Sequence, residues 1–243
     1  MDMRLEFVLE EKGFVDEFNN KIFSCLDEDE KKFFKYIFPQ IKGNSIIKCK
    51  NGNGHKINVV VSVDGKNKNL SFKKGTSSSM HIGYVKDLVL KLLSFGFSFN
   101  AVLGLLKYHF ADGTIDGSGI QMYQGVELRY EFQDAIRAVA KELEKKKIRY
   151  DVTNYIVREE GKRMVDYVIY KDNKHSIYIV EASDLVAYLC KYKDELYHPY
   201  MRLGVFNYLA WGRDNSSTFE RQRRKYYSFI KINNLKKYIS QIK

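Results

Sequence analysis

The residues best placed to do chemistry in this chain are Asn58, Ser71 and Lys73. All three lie in the valine-rich stretch GHKINVVVSVDGKNKNLSFKKG at positions 54–75. Asp64-Gly65-Lys66-Asn67 is a turn signal, and a two-residue loop at Gly65-Lys66 sets Asn58 opposite Lys73 and Val60 opposite Ser71. Alternation then sends Val59, Val61, Val63, Leu70 and Phe72 into a core. It leaves Asn58, Ser62, Asn69, Ser71 and Lys73 on the other face. Two antiparallel strands of this kind suit phosphodiester hydrolysis when one carries an acid and the other an acid or polar acceptor two residues before a lysine. The acids and the substrate phosphate hold one or two Mg²⁺ ions, and the lysine orients the attacking water and neutralises developing charge. Here asparagine stands at the first position and serine at the second. An amide oxygen can coordinate a hard cation but brings no charge, so metal affinity should fall sharply. Asp64 is the nearest acid in sequence, about 20 Å along the strand from Asn58. A strand register shifted by two would put Lys56 at the acid's place, which is equally non-acidic.

Helical periodicity predicts helices over 14–25 (Phe14, Phe18, Ile22, Phe23) and 28–41 (Phe33, Phe34, Ile37, Phe38). A strand at 45–49, the hairpin, a polar loop at 75–79 and an amphipathic helix at 84–95 follow. Helices are expected at 100–110 and 127–147, separated by the turn-rich ADGTIDGSG at 111–119. That segment lacks the ligand series of a calcium loop and reads as a tight structured turn. Strands are expected at 151–158, 165–170, 176–181, 205–209 and 229–232. A short helix near 183–192, with Ser183 as N-cap, and a C-terminal helical turn complete the chain. This order is α/β but not the strict alternation of a doubly wound sheet.

The chain has 243 residues, 44% of them hydrophobic, which is enough for a substantial core. Forty-one Lys and Arg against 30 Asp and Glu give a formal charge of +11, a balance that favours a polyanionic partner, most simply nucleic acid. Cys25, Cys49 and Cys190 have no CxxC spacing, and His55, His81, His109, His175 and His198 have no HxH or HxxxH spacing. Neither a disulfide framework nor a zinc cluster is indicated. No apolar run approaches the ~20 residues that span a bilayer. The acids of MDMRLEFVLEEKGF do not suit a signal peptide, so the expectation is a cytoplasmic protein with no membrane partner.

Four stretches resemble a small type II restriction endonuclease of the PD-(D/E)xK superfamily. Gly13-Phe14-Val15-Asp16-Glu17-Phe18 resembles the opening helix that contributes a glutamate, which points to Glu17. Ile57-Asn58 takes the place of the "PD" pair and Ser71-Phe72-Lys73 that of (D/E)xK. Gly212-Arg213-Asp214-Asn215, Glu220-Arg221-Gln222-Arg223-Arg224 and the strand Phe229-Ile230-Lys231 resemble the basic C-terminal segment of short-site enzymes. The resemblance implies a mixed central β-sheet flanked by helices, in one domain over 1–243 with a helical insertion at 100–150 and a basic DNA-contacting segment at 200–243. It further implies Mg²⁺-dependent, site-specific hydrolysis of double-stranded DNA. Lys73 would position the nucleophile, and Asn58, Ser71 and Glu17 would hold the metal or its waters. Cutting two strands makes a homodimer a reasonable expectation. Three explanations for Asn58 stay open: an engineered inactivation, a natural non-cleaving homologue, or an acid supplied from elsewhere. The alternative function is a non-catalytic nucleic-acid-binding protein on the same fold.

DNA contacts are expected from the loop after the lysine, where Lys74, Thr76, Ser77, Ser78 and His81 offer cations, hydroxyls and a ring nitrogen to phosphate. Arg213, Asn215, Arg221, Arg223 and Arg224 could reach base edges as well as phosphates.

Overall fold

The computed structural model describes residues 2–3, 11–52, 56–159, 161, 164–172, 176–192, 198–211 and 225–242. They fall into two compact units. The first comprises 1–78, 157–185 and 234–243, and the second 79–156 and 186–233.

The first unit is built on a mixed seven-stranded sheet among the described residues. Its strands are β1 (Asp2–Met3), β2 (Lys21–Ile22), β3 (Ile46–Asn51), β4 (Val59–Val63), β5 (Lys66–Lys74), β7 (Tyr167–Lys171) and β8 (Ile177–Glu181). The order across the sheet is β1-β8-β7-β5-β4-β3-β2. Only the β5–β7 pair is parallel, with Ser71 beside Val168 and Lys73 beside Tyr170. Helices α1 (Glu11–Phe18) and α2 (Glu28–Ile37) bury Phe14, Phe18, Phe33, Phe34 and Ile37 against Val59, Val61, Val63, Leu70, Tyr167 and Ile169. Asp27 starts α2 with a capping box: its carboxylate accepts from the Asp29 and Glu30 N–H groups, and Glu30 answers on the Asp27 N–H. Near the opposite face, α9 (Leu235–Ile239) is tied to β8. Lys236 Nζ lies 2.7 Å from Asp172 Oδ2 and sits over the Tyr178 ring.

Among the described residues, the second unit has a four-stranded sheet ordered β6-β11-β10-β9. These strands are β6 (Ser77–Tyr84), β9 (Arg202–Leu203), β10 (Phe206–Leu209) and β11 (Tyr227–Asn233). The accompanying helices are α3 (Val85–Ser94), α4 (Phe99–Phe110), α5 (Leu128–Glu131), α6 (Gln133–Glu144), α7 (Lys146–Arg158) and α8 (Ala182–Leu189), of which α7 and α8 run into the first unit. Gly104 lets α4 approach α6, since a Cβ there would fall 2.9 Å from the Ala135 Cβ. The 111–119 segment is a structured turn. Asp112 accepts from the Thr114 N–H and hydroxyl through one carboxylate oxygen, and from the Gly119 N–H through the other. No described helix is long and apolar enough to cross a membrane.

Several local expectations need correction, among them the Ser183 N-cap, since α8 begins at Ala182 and Ser183 lies inside it. The hairpin loop is Asp64-Gly65, with Val63 paired to Lys66 and Val59 to Leu70. Both loop residues have positive φ, +48° and +79°, as a type I′ turn requires. The first helix ends at Phe18 and is followed by β2 and a 3₁₀ turn at Phe23–Cys25. The polar segment after Lys74 is a short turn leading directly into β6. The helix expected at 127–147 breaks into α5 and α6. The 151–158 strand is the last part of α7, because Val152, Tyr155 and Ile156 are buried at helical spacing. Lys146 and Lys147 therefore open α7 instead of closing a helix, and Lys147 is offset by Asp151 four residues on.

A buried histidine ties α4 to the sheet of the second unit. His109 Nε2 lies 2.9 Å from the Lys225 carbonyl and must donate to it, so Nδ1 accepts from the Tyr208 hydroxyl at 2.8 Å. Burial pushes its pKa from 6.5 down to about 4, against a smaller upward pull from the Lys225 carbonyl. The folded state thus binds the proton less readily than the unfolded state. Stability is complete above the unfolded pKa and is lost as pH falls from about 6.5 towards 4, by about 3 kcal/mol. Urea unfolding across that range should show this loss in the wild type and lack it in His109→Gln.

Candidate nucleic-acid interface and nuclease centre

The corrected hairpin register decides what meets at the centre. With Val59 across from Leu70, the preceding residue, Asn58, sits beside Ser71 and not beside Lys73. Val60 faces Asn69. The slip relative to the expected loop is two residues, so every side chain keeps its face. Val59, Val61, Val63 and Leu70 are buried in the core that Phe72 packs against. Ser71 and Lys73 alternate to the other side, with Ser71 buried and Lys73 half-buried.

The regular ladder ends at Asn58. Its N–H donates to the Leu70 carbonyl at 2.9 Å, and its carbonyl accepts from the Gly52 N–H at 2.8 Å. The side chain then extends the ladder, with Oδ1 accepting the Phe72 N–H at 2.7 Å. A backbone N–H can only donate, so the amide atom facing it must be the oxygen. The same bond fixes the orientation of the Nδ2 amino group. Lys56, two residues upstream, is a buried lysine with 3% of its surface exposed.

The turn after Lys73 is well anchored. Gly75 adopts φ +78°, which only glycine takes readily. The Tyr170 hydroxyl, on the strand beside Lys73, donates to the Gly75 carbonyl at 3.0 Å. The Thr76 carbonyl accepts from the Asn234 N–H at 2.8 Å. Burial raises the Tyr170 pKa, aided by Asp172, so the hydroxyl keeps its proton and remains a donor. Lys74, Thr76 and Ser77 are exposed. Ser78 is buried and its hydroxyl donates to the Lys74 carbonyl. His81, in the second unit, is buried with its ring 5.1 Å from that of Tyr155. The outward-facing part of the expected phosphate loop is therefore Lys74, Thr76 and Ser77.

Glu17 is half-buried, one turn beyond Phe14 on α1. Phe14 packs on Phe72 with ring centroids 5.3 Å apart, which puts α1 against the face opposite to the one from which Lys73 leaves. Arg213, Asn215, Arg221, Arg223 and Arg224 lie outside the described residues.

Among the described residues, the donor set at this face does not fit Mg²⁺. A hard divalent cation takes oxygen ligands, with carboxylates providing the charge. The β4–β5 face presents an amide whose oxygen already accepts a backbone N–H, a serine and a lysine. Among the described residues no group of three or more His, Cys, Asp or Glu is placed to hold a metal. The cysteines do not help. Burial pushes the Cys49 thiol up to about 12 and raises that of Cys190, so neither offers a thiolate near neutral pH. Sequence reading found Ser71 and Lys73 through their two-residue spacing, and Asn58 by pairing across the hairpin in a register now shifted by two. It missed the Asn58–Phe72 bond and the Tyr170 anchor, both of which depend on where the ladder ends and which strand lies alongside.

No protein-family model matches the chain, and neither does any curated protein. Among solved structures, the crystal structure of restriction endonuclease MspI in complex with its cognate DNA is similar over 91% of this chain and 87% of its own, with a TM-score of 0.53 and 14% sequence identity. At that identity the likeness is one of fold: this chain has a type II restriction-endonuclease-like fold, a mixed sheet flanked by helices.

Proposed function

We propose that this chain is a double-stranded-DNA-binding protein built on a restriction-endonuclease fold, with its nuclease centre at the β4–β5 face and its hydrolytic step withheld by asparagine at position 58. The observation that carries the reading is the register of β4 and β5. It gathers Asn58, Ser71 and Lys73 on one strand pair, in a fold shared over most of its length with an enzyme solved on its cognate DNA. The formal charge of +11 supports a polyanionic partner. Lys73 and the exposed Lys74, Thr76 and Ser77 are the groups placed to meet a phosphate backbone. In this reading the fold and the DNA contacts belong to a site-specific endonuclease that uses Mg²⁺, and Asn58 is the departure that impairs cleavage. Aspartate there would complete the metal ligands.

Fluorescence anisotropy with a labelled mixed-sequence duplex tests the binding. The chain should bind it, and log K should fall linearly with log salt with a slope set by the number of phosphates neutralised, about 0.9 per phosphate. Absence of duplex binding at low salt would remove the reading.

A further inference from the structure

We infer that the second unit carries a pocket for a nucleotide, with the phosphate at Arg129 and Arg137 and the base against Tyr130, whether the nucleotide is free or an unpaired unit of a DNA strand. The pocket lies within the second unit and does not depend on the β4–β5 face. It measures about 400 Å³ and follows α5 and the start of α6. That volume falls in the range of small-molecule sites, roughly 300–1,000 Å³. Arg129, Gln133 and Arg137 recur every four residues, the spacing that sets side chains on one helical face. All three line the pocket although α5 and α6 are separated at Phe132, and Ile136 and Pro199 give it an apolar floor.

Each arginine is held by its neighbours with donors to spare. Arg137 donates through Nη2 to Gln133 Oε1 at 3.1 Å and lies 3.7 Å from the carboxylate of Asp134, whose side chain is fully exposed. The Arg129 guanidinium sits 4.6 Å from the centroid of the Tyr130 ring, and its Nη2 donates to the Tyr130 hydroxyl. Arg129 Nε is buried without a hydrogen-bond partner. A guanidinium carries five N–H donors in a flat fork that matches phosphate oxygens. A buried donor left unpaired is costly, so a bound acceptor there is favoured. No carboxylate of the described residues lines the pocket. Tyr130 is 59% exposed, which leaves aromatic surface for a base, and stacking on such a ring accepts any base. Inorganic phosphate would use the arginines and leave the apolar floor empty, while an apolar ligand would leave the buried donor unpaired. A nucleotide engages both.

Isothermal titration calorimetry with dAMP, deoxyadenosine and inorganic phosphate tests the pocket. The nucleotide should bind at least about tenfold more tightly than either fragment. Arg137→Ala and Tyr130→Ala should each weaken dAMP binding by about tenfold. Both side chains are exposed, so the fold should survive, and circular dichroism melting checks that it does. Fluorescence anisotropy with labelled single-stranded and duplex oligonucleotides identifies the source of the nucleotide. If Tyr130→Ala weakens the single strand by about tenfold and leaves the duplex unchanged, the pocket takes an unpaired unit of a strand. If it weakens dAMP alone, the pocket takes a free nucleotide. Either result supports the pocket. Binding of dAMP no tighter than inorganic phosphate overturns it, as does unchanged dAMP affinity in both variants. Absence of duplex binding by the wild type would remove the DNA-binding reading and leave this result standing.

Discussion

Asn58→Asp should convert this chain into a Mg²⁺-dependent nuclease. Supercoiled plasmid is the right substrate, because it offers many sequences at once and a single nick changes its mobility. Without the substitution, no group of three or more His, Cys, Asp or Glu among the described residues is placed to hold a cation. With it, one carboxylate oxygen keeps the 2.7 Å bond from the Phe72 N–H, so the local backbone need not move. The other oxygen becomes an anionic ligand next to Ser71. Charge relief of this type changes turnover by about a hundredfold or more when a single stabilising group is gained or lost, and at least that gain over wild type is expected. Lys73→Ala added to Asn58→Asp should return cleavage to background, because the ammonium orients the water and neutralises developing charge. If Asn58→Asp gains Ca²⁺-stimulated DNA binding yet never nicks the plasmid in Mg²⁺, then position 58 is a metal ligand but not what limits hydrolysis.

Phe14→Ala should cost about 3–5 kcal/mol, the range for deleting a fully buried aromatic ring. Phe14 has no exposed surface and is the hub of the first unit's core. Its ring lies 4.8 Å from that of Phe18, 6.0 Å from Phe33, 6.4 Å from Phe34 and 5.3 Å from Phe72. The last contact ties the loss to function, because Phe72 stands between Ser71 and Lys73 and its N–H holds Asn58. A cavity beneath Phe72 should loosen β5 where Ser71 and Lys73 flank it. Urea unfolding followed by circular dichroism should show the drop in stability, and hydrogen exchange should quicken at the Phe72 amide before it does in the second unit. A loss below about 1 kcal/mol would mean that this cluster does not fix α1 on the sheet.

The two faces of the hairpin were legible in the sequence because strand alternation survives a slip of two residues. The register was not. Asp64-Gly65 and Gly65-Lys66 are both acceptable two-residue loops, and a long-range contact accompanies the first: the Ser45 hydroxyl donates to the Asp64 carboxylate at 2.6 Å, within a turn where Asp64 takes positive φ. The 151–158 segment read as a strand because Val152, Thr153, Ile156 and Val157 are β-branched. Its buried positions follow the helical period, and packing overrode propensity. The strand β6 was hidden by Ser77, Ser78 and Ser79, which look like loop residues. Pairing in a sheet, and not their own preference, makes them a strand. The mixed α/β architecture and the pair Ser71 and Lys73 could be read from spacing alone. The polarity of Asn58 could not, since it depends on one hydrogen bond made where the ladder stops.

The most direct test is a crystal structure of the unaltered chain with a duplex in the presence of Ca²⁺. The account predicts a backbone phosphate at the β4–β5 face, beside Lys73 and the turn that exposes Lys74, Thr76 and Ser77. A duplex seated away from this face, with no phosphate near Lys73, would contradict it.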